Sequence, residues 1–118
     1  FKKSPDVVIF SGSIQYLSNP FEIINNLINR NIKNFLFLRT SFHFKNHDIF
    51  CIQKVPKNIY KATYPITIFS YKKFTNLFKS NNFEINEFSK KIYIDEVVHL
   101  NLSFSKNKIL IELKTFFI

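Results

Sequence analysis

The chain has 118 residues, 46% of them hydrophobic, and a formal net charge of +9, which suits one folded domain and excludes an intrinsically disordered tail. No run approaches 18 apolar residues, and no basic segment precedes a short apolar one, so the sequence predicts neither a membrane span nor a secretory signal. The single cysteine, Cys51, cannot form an internal disulfide, which favours a reducing, cytoplasmic location.

Two further features of the composition bear on partners. The chain begins at Phe1 and contains no methionine, which predicts a fragment or a processed piece of a longer protein. The lysines are scattered, whereas nucleic-acid binding requires a basic patch on one face. Lys, Asn, Ile and Phe are also the residues of A/T-rich codons, so nucleic acid is not the expected partner.

The first predicted elements form a strand–helix–strand unit. Residues 6–10 (DVVIF) make a continuous apolar, β-branched run, typical of a strand buried on both faces. Asn19 can cap a helix over residues 20–30, whose first residue is proline, and Glu22 is placed to close a capping box. Residues 34–39 (NFLFLR) predict a second buried strand. Such a unit implies two parallel neighbouring strands with their carboxyl ends at one edge.

The middle of the chain has weak periodicity. From residue 40 to residue 69, only the segment 49–53 (IFCIQ) suits a short extended element. Pro56 and Pro65 interrupt regular structure. We therefore predict an irregular stretch of the kind that serves as a binding loop or lid.

The last third is predicted as a helix followed by strands. Ser70 can cap a helix over residues 71–80, and the asparagines that follow tolerate the left-handed conformation that ends it. Residues 83–89 and 97–104 alternate in polarity, which predicts antiparallel strands added to the sheet. Residues 105–118 form a tail of unclear role, with a turn at 105–108 and a further strand suggested at 109–113.

Polar groups follow both predicted parallel strands. In open α/β sheets, ligands bind outside the carboxyl ends of the strands, and a glycine there lets a ligand approach the backbone. Gly12 is the only glycine in the chain. The alternative is that the serines beside it simply satisfy a turn. The candidate ligand-binding residues are Ser11, Gly12, Ser13, Gln15 and Tyr16 after the first strand, and Arg39 and Thr40 after the second.

Other constellations give weaker signals. His43, His47 and Cys51 are spaced by four residues, with Asp48 nearby, but the segment has no helical pattern that would bring them together, and no metal site is predicted. Tyr60 and Tyr64 could line a substrate pocket or pack a loop onto the sheet, and the sequence leaves both open.

Four short motifs resemble a known family. They are S-x-S-x-Q-Y-L at residues 11–17, R-T at 39–40, Q-x-V-P-x-x-I-Y at 53–60 and Y-P at 64–65. In this order they resemble the C-terminal half of a bacterial family of S-adenosylmethionine-dependent methyltransferases that is often associated with surface-polysaccharide genes and has no assigned substrate. The resemblance covers about residues 5–104.

The resemblance implies a fold. Residues 1–118 would form a single, partial α/β domain with a Rossmann-like methyltransferase sheet. Its strands 4 to 7 would comprise two parallel strands joined by a crossover helix and then antiparallel strands. The glycine-rich cofactor loop and the acidic residue of the family's N-terminal half have no counterpart in these 118 residues. The resemblance therefore implies that the missing half is a partner and that this chain alone binds the cofactor weakly or not at all.

The resemblance also implies a function, methyl transfer from S-adenosylmethionine to an oxygen or nitrogen atom of a small acceptor, for example a saccharide. A basic non-catalytic module and an inactive, truncated remnant remain the alternatives. The resemblance places three groups of residues at the site. Beside the cofactor it places Ser11, Gly12, Ser13, Gln15 and Tyr16. Around the acceptor it places Arg39, Thr40, Tyr60 and Tyr64, with His43 as a weak candidate base.

Overall fold

The computed structural model describes residues 5–59, 62–87, 92–94 and 97–106, which form a mixed β-sheet with two helices. The α/β class is therefore confirmed. The elements are β1 (Val8–Ser11), the 3-10 turn η1 (Ile14–Tyr16), α1 (Pro20–Asn29), β2 (Asn34–His43), β3 (Ile49–Lys54), β4 (Thr63–Ser70), α2 (Tyr71–Ser80), β5 (Glu84–Glu87), β6 (Ile92–Ile94) and β7 (Val97–Ser105).

The sheet combines parallel and antiparallel pairs. Its order is β3-β4-β2-β7-β5, with β1 also beside β2 and β6 beside β7. β1 and β4 run parallel to β2, whereas β7 runs antiparallel to both β2 and β5 and lies between them. The expected mixture of parallel and antiparallel strands is confirmed, with β1 and β2 as the predicted parallel pair, but β4 is a third strand parallel to β2 that was not predicted.

Two strands share one edge of β2. β1 pairs with residues 35–38 of β2, and β4 pairs with Phe42 and His43, while β7 occupies the opposite edge. Among the described strands, none pairs with residues 39–41 on the shared edge. We call this three-residue stretch the β1–β4 gap, and η1 packs there against both β4 and β2.

A β-bulge in β2 lies next to the β1–β4 gap. Phe37 pairs with Leu102 and Thr40 with Leu100, so three steps along β2 match two along β7. The additional residue shifts the alternation of side chains by one position. Phe37 and Phe42, which are five residues apart, consequently face the same side of the sheet.

The core is built mainly from phenylalanine. Both helices pack on one face of the sheet, because Phe21 of α1 contacts Phe69 of β4 and Phe74 of α2, while Phe74 also contacts Phe37 of β2. Burial of each such ring stabilises the fold by about 1.5–3 kcal/mol. Among the described residues, the fully buried phenylalanines are Phe35, Phe37, Phe42, Phe69, Phe74, Phe78 and Phe104.

The start of α1 agrees with the prediction except at its cap. Pro20 is the first helical residue, where its missing N–H costs nothing. The Asn19 side chain makes no capping bond to the backbone. Instead, its Nδ2 donates to Glu22 Oε2 at 3.1 Å, so the two side chains satisfy each other. The expected capping box is therefore absent.

The cap of α2 is confirmed. Ser70 Oγ accepts a hydrogen bond from the Lys73 N–H at 3.3 Å and donates one to the Lys45 carbonyl at 2.6 Å. Asn82, just beyond the helix, has φ +66°. The predicted left-handed asparagine therefore ends α2.

The predicted irregular stretch from residue 40 to residue 69 is wrong. β2 continues through its bulge to His43, and β3 and β4 form an antiparallel hairpin that contains the predicted 49–53 segment. Pro65 is tolerated inside β4 because the strand pairs only with β3 at that level among the described residues.

The first strand is also less buried than predicted. β1 spans Val8–Ser11 rather than residues 6–10, and Ile9 is 59% exposed. Among the described strands β2 is the only one that pairs with β1, so the outer edge of β1 is uncovered there.

At the other end of the chain, the predicted tail begins one residue too early. Ser105 is the last residue of β7 and pairs with Asn34 and Glu84. Residues 107–118, including the strand suggested at 109–113, lie outside the described residues. Within the described part of the chain, no helix combines the length and apolarity needed to cross a bilayer.

Candidate functional site

Arg39 occupies the β1–β4 gap with an unusual backbone. Its φ is +51°, the left-handed region that residues with a Cβ rarely adopt. Its N–H donates to Asn101 Oδ1 at 2.8 Å, and its carbonyl accepts from Gln15 Nε2 at 3.0 Å. Because the bulge interrupts the ladder here, side-chain amides from β7 and η1 supply the partners that a neighbouring strand would otherwise supply.

The Arg39 side chain lies over the turn that follows β1. Its Nη2 donates to Ser11 Oγ at 3.1 Å. A Cβ placed on Gly12 would lie 3.5 Å from the same Nη2, and Gly12 itself has φ +58°. The Gly12 N–H donates to the Leu38 carbonyl at 2.8 Å. The single glycine is therefore used where the chain turns away from β2 beneath the guanidinium.

Gln15 connects this turn to an enclosed space. Its side chain is only 4% exposed, and its Nε2 must face the Arg39 carbonyl, since an amide oxygen cannot donate. Its Oε1 therefore points elsewhere, and it has no hydrogen-bond partner among the described residues. Gln15 lines a pocket of about 230 Å³ together with Tyr16, Cys51 and Thr67.

An aromatic cleft adjoins this pocket. It has a volume of about 430 Å³ and is lined by Tyr16, Gln53, Val55, Tyr64 and Pro65. The Tyr16 hydroxyl donates to Gln53 Oε1 at 2.8 Å, and the two tyrosine rings meet edge to face with centroids 6.3 Å apart. Tyr16 and Pro65 line both spaces, so the cleft and the pocket are neighbours.

The structure brings most of the predicted site residues together, with exceptions. Ser13 precedes η1, and its carbonyl accepts from the Tyr16 N–H, but its hydroxyl makes no capping bond. Thr40 is fully buried on the core face, and its hydroxyl donates to the Leu38 carbonyl at 3.3 Å. Thr40 therefore does not border the cleft. The residues that do meet around the gap and the cleft are Ser11, Gly12, Gln15, Tyr16, Arg39 and Tyr64.

His43 lies in a strand rather than in a loop. It is the last residue of β2 and is 3% exposed. Its Nδ1 accepts a hydrogen bond from the Lys45 N–H at 3.1 Å, and its ring contacts that of His47. A general base must reach the proton that it removes. The burial of His43 thus gives no geometric support to that role.

The remaining candidates are placed as follows. Tyr60 lies outside the described residues. Asp48 accepts hydrogen bonds from the Ser70 N–H and from Lys73 Nζ, so it serves the start of α2. Within the described ranges, no three His, Cys, Asp or Glu side chains come together as metal ligands.

Two residues of the site were not predicted. Gln53 lies within the Q-x-V-P motif but was not assigned a role, although its position in that motif was a usable signal. Asn101 lies between Leu100 and Leu102 on β7, where a polar residue looks like the ordinary outer position of an alternating strand. Nothing in the sequence indicates that it faces a bulge.

Comparisons with known proteins leave the site without a counterpart. No protein-family model matches the chain, and neither the curated proteins nor the solved structures yield a match. The methyltransferase resemblance therefore stays a prediction, and a function is inferred from the geometry of the gap and the cleft.

Proposed function

We propose that the chain takes part in S-adenosylmethionine-dependent methyl transfer to a small-molecule acceptor. One observation carries the proposal: a polar cluster at the end of β1 opens beside an aromatic cleft, in a sheet where a parallel strand pair is followed by antiparallel strands. The resemblance likewise implies a sheet that mixes parallel and antiparallel strands, and strand ends are where open α/β sheets bind ligands.

The work left to the protein in such a reaction is mainly positioning. S-adenosylmethionine, when bound, supplies an electrophilic methyl group on a sulfonium. The protein must hold the acceptor oxygen or nitrogen in line with the carbon–sulfur bond and keep the site dry. Gln15 suits this role because its Oε1 is a fixed, buried acceptor that can orient a hydroxyl or an amino group.

The cleft suits a saccharide acceptor. Tyr16 and Tyr64 offer apolar ring faces and edges, on which the C–H face of a sugar ring can pack, and both are about 40% exposed. The Gln53 amide uses its Oε1 for the Tyr16 hydroxyl, so its Nε2 is positioned to donate to a ligand hydroxyl. Pockets of this kind combine aromatic walls with a few polar groups that fix orientation.

A methyl-transfer assay tests the proposal. The longest natural polypeptide that contains these 118 residues is incubated with S-adenosylmethionine labelled in its methyl group and a panel of hexoses and hexuronic acids. We expect formation of S-adenosylhomocysteine and a labelled product. Gln15→Leu should lower kcat/KM by about 10- to 100-fold, because it removes one positioning acceptor.

The matched control is Lys72→Ala, an exposed change on α2 away from the gap, which should leave the activity unchanged. The proposal is contradicted if no S-adenosylhomocysteine forms with any acceptor and S-adenosylmethionine shows no saturable binding at millimolar concentration.

A further inference from the structure

We infer that Arg39 anchors a binding site for a small organic anion that also carries a hydroxyl or amino group. The inference rests on the proposed function in one respect, since the anion would be the methyl acceptor. It narrows the acceptor from any small molecule to one that bears a carboxylate or a phosphate.

The backbone of Arg39 provides the first argument. Four described residues have left-handed φ angles, and three of them are Gly12, Asn31 and Asn82. Glycine and asparagine tolerate this conformation, whereas arginine does not gain from it. The left-handed φ therefore does not explain why position 39 holds an arginine. Strained backbone conformations of this kind are maintained mainly at functional sites.

The surroundings hold that strained conformation firmly. Asn101 accepts from the Arg39 N–H and Gln15 donates to the Arg39 carbonyl, so β7 and η1 together fix the residue from which the guanidinium projects. The guanidinium is further oriented by Ser11 Oγ. Such preorganisation reduces the entropy lost on binding.

The charge of Arg39 is available to a ligand. The side chain is exposed, and no carboxylate among the described residues lies within ion-pair distance of it. A guanidinium carries five N–H donors in a planar fork that matches a carboxylate or a phosphate, and one of them is used by Ser11. The remaining donors can therefore receive the two oxygens of an anionic group.

Gln15 supplies an independent second observation. Its Oε1 is buried and lacks a hydrogen-bond partner among the described residues, and Gln15 as a residue lines the pocket of about 230 Å³. A buried acceptor without a partner is costly, and a ligand N–H or O–H would remove that cost. Because Gln15 Nε2 is hydrogen-bonded to the Arg39 carbonyl, the pocket that Gln15 lines lies next to the residue that carries the guanidinium.

The test uses three sugars that share a ring and differ in charge. The ¹⁵N-labelled chain, without cofactor, is titrated with glucose, glucuronate and glucose 6-phosphate at constant ionic strength. The sequence contains only two arginines, Arg30 and Arg39, so their side-chain Nε–H signals are readily assigned. We expect a saturable shift of the Arg39 signal with at least one anionic sugar and a response at least about tenfold weaker with glucose. The two anions distinguish a carboxylate from a phosphate ligand.

Variants separate binding from folding. Arg39→Gly removes the guanidinium while keeping a residue suited to φ +51°, so it should fold and lose the saturable response, which in this variant is followed at the backbone amides of Gly12 and Gln15. Arg30→Gly removes the same charge at the end of α1, where φ is −83°, and should keep the response. The inference is overturned if glucose binds as well as the anions, if no titration saturates, or if Arg30 and Arg39 shift alike.

The two proposals can fail separately. Methyl transfer to a neutral sugar, with activity unchanged in Arg39→Gly, would contradict the anion site and leave the proposed function standing. Saturable anion binding at Arg39 without any methyl transfer would contradict the proposed function and leave the anion site standing.

Discussion

At the scale of single residues, the site depends on two left-handed positions that lie against each other. Gly12 adopts φ +58° beneath the Arg39 guanidinium, and Arg39 adopts φ +51° between two side-chain amides. The glycine is free of strain in this conformation, and the arginine is not. Substitutions at the two positions should therefore change stability in opposite directions.

Gly12→Ala should destabilise the protein by about 1–2 kcal/mol, because an L residue in the left-handed region is strained. The added Cβ would meet Arg39 Nη2 at 3.5 Å, an ordinary contact, so the backbone rather than crowding causes the loss. Urea unfolding measures the effect, and Gly12→Asn serves as the control because asparagine tolerates this conformation better. Equal stability of Gly12→Ala and the wild type would contradict the argument.

Arg39→Gly should leave stability unchanged or raise it by up to about 1 kcal/mol. Relief of about 1–2 kcal/mol of strain is offset by roughly 0.5–1 kcal/mol of additional backbone entropy in the unfolded chain. Arg30→Gly changes a residue with an ordinary φ, so it relieves no strain and loses stability through the additional entropy of the unfolded chain. Thermal and urea unfolding compare the two variants, and a lower stability of Arg39→Gly than of Arg30→Gly would show that Arg39 is not strained.

The conformations of Gly12 and Arg39 could be predicted only in part from the sequence. Gly12 was recognisable, since the single glycine of the chain follows a strand and precedes a helix start. The conformation of Arg39 was not, because it results from the bulge. One signal was available: Phe35 and Phe37 occupy odd positions and Phe42 an even one, so a strand that places all three on the same face needs one additional residue between them.

At the scale of elements, the site depends on how β1 and β4 share β2. β1 pairs with β2 up to Leu38, β4 joins at Phe42, and η1 fills the space between them. The hairpin of β3 and β4 supplies Gln53 and Tyr64 to the aromatic cleft. The hairpin was missed in the sequence because Pro65 interrupts the pattern of β4. That proline is acceptable because, among the described strands, β4 pairs only with β3 at Pro65, so no second neighbour needs its missing N–H.

The junction of β4 and α2 is the element boundary most open to test. Ser70 is fully buried, caps α2 and bonds the Lys45 carbonyl. Ser70→Ala should cost about 2 kcal/mol, because it removes a cap and leaves a carbonyl without its partner. Ser80→Ala, an exposed serine at the other end of α2, should change stability by less than about 0.5 kcal/mol in the same denaturant titration. Equal effects of the two changes would contradict the capping role.

At the scale of the whole molecule, the phenylalanine cluster between the helices and the sheet holds the site elements in place. Phe37 is central: it stacks on Phe10 of β1 and meets Phe74 of α2 and Phe104 of β7. Apolar residues at helical spacing, Phe21 and Ile24 in α1 and Phe74 and Phe78 in α2, indicate in the sequence which helix faces enter the core. The sheet order could not be predicted from periodicity, because β7 pairs with β2 across more than 50 residues of chain.

Phe37→Ala should destabilise the fold by about 3–5 kcal/mol, since a buried ring is replaced by a cavity. Phe50→Ala is the control, because Phe50 on β3 is 78% exposed and should change stability by less than about 0.5 kcal/mol. Guanidinium unfolding monitored by circular dichroism gives both values. A loss of less than 1 kcal/mol for Phe37→Ala would contradict the placement of the core.

The central claim is that the β1–β4 gap and its cleft form the ligand site. Amide chemical-shift mapping with S-adenosylhomocysteine at millimolar concentration, on the longest natural polypeptide that contains these 118 residues, tests it most directly. Another cleft, of about 580 Å³, lies near Lys79, Phe83 and Glu84 and provides an internal comparison. The account predicts saturable shifts at Gly12, Gln15 and Arg39, with the amides of Lys79 and Glu84 unmoved. Shifts confined to the cleft at Lys79 and Glu84, or no saturable shift anywhere, would contradict it.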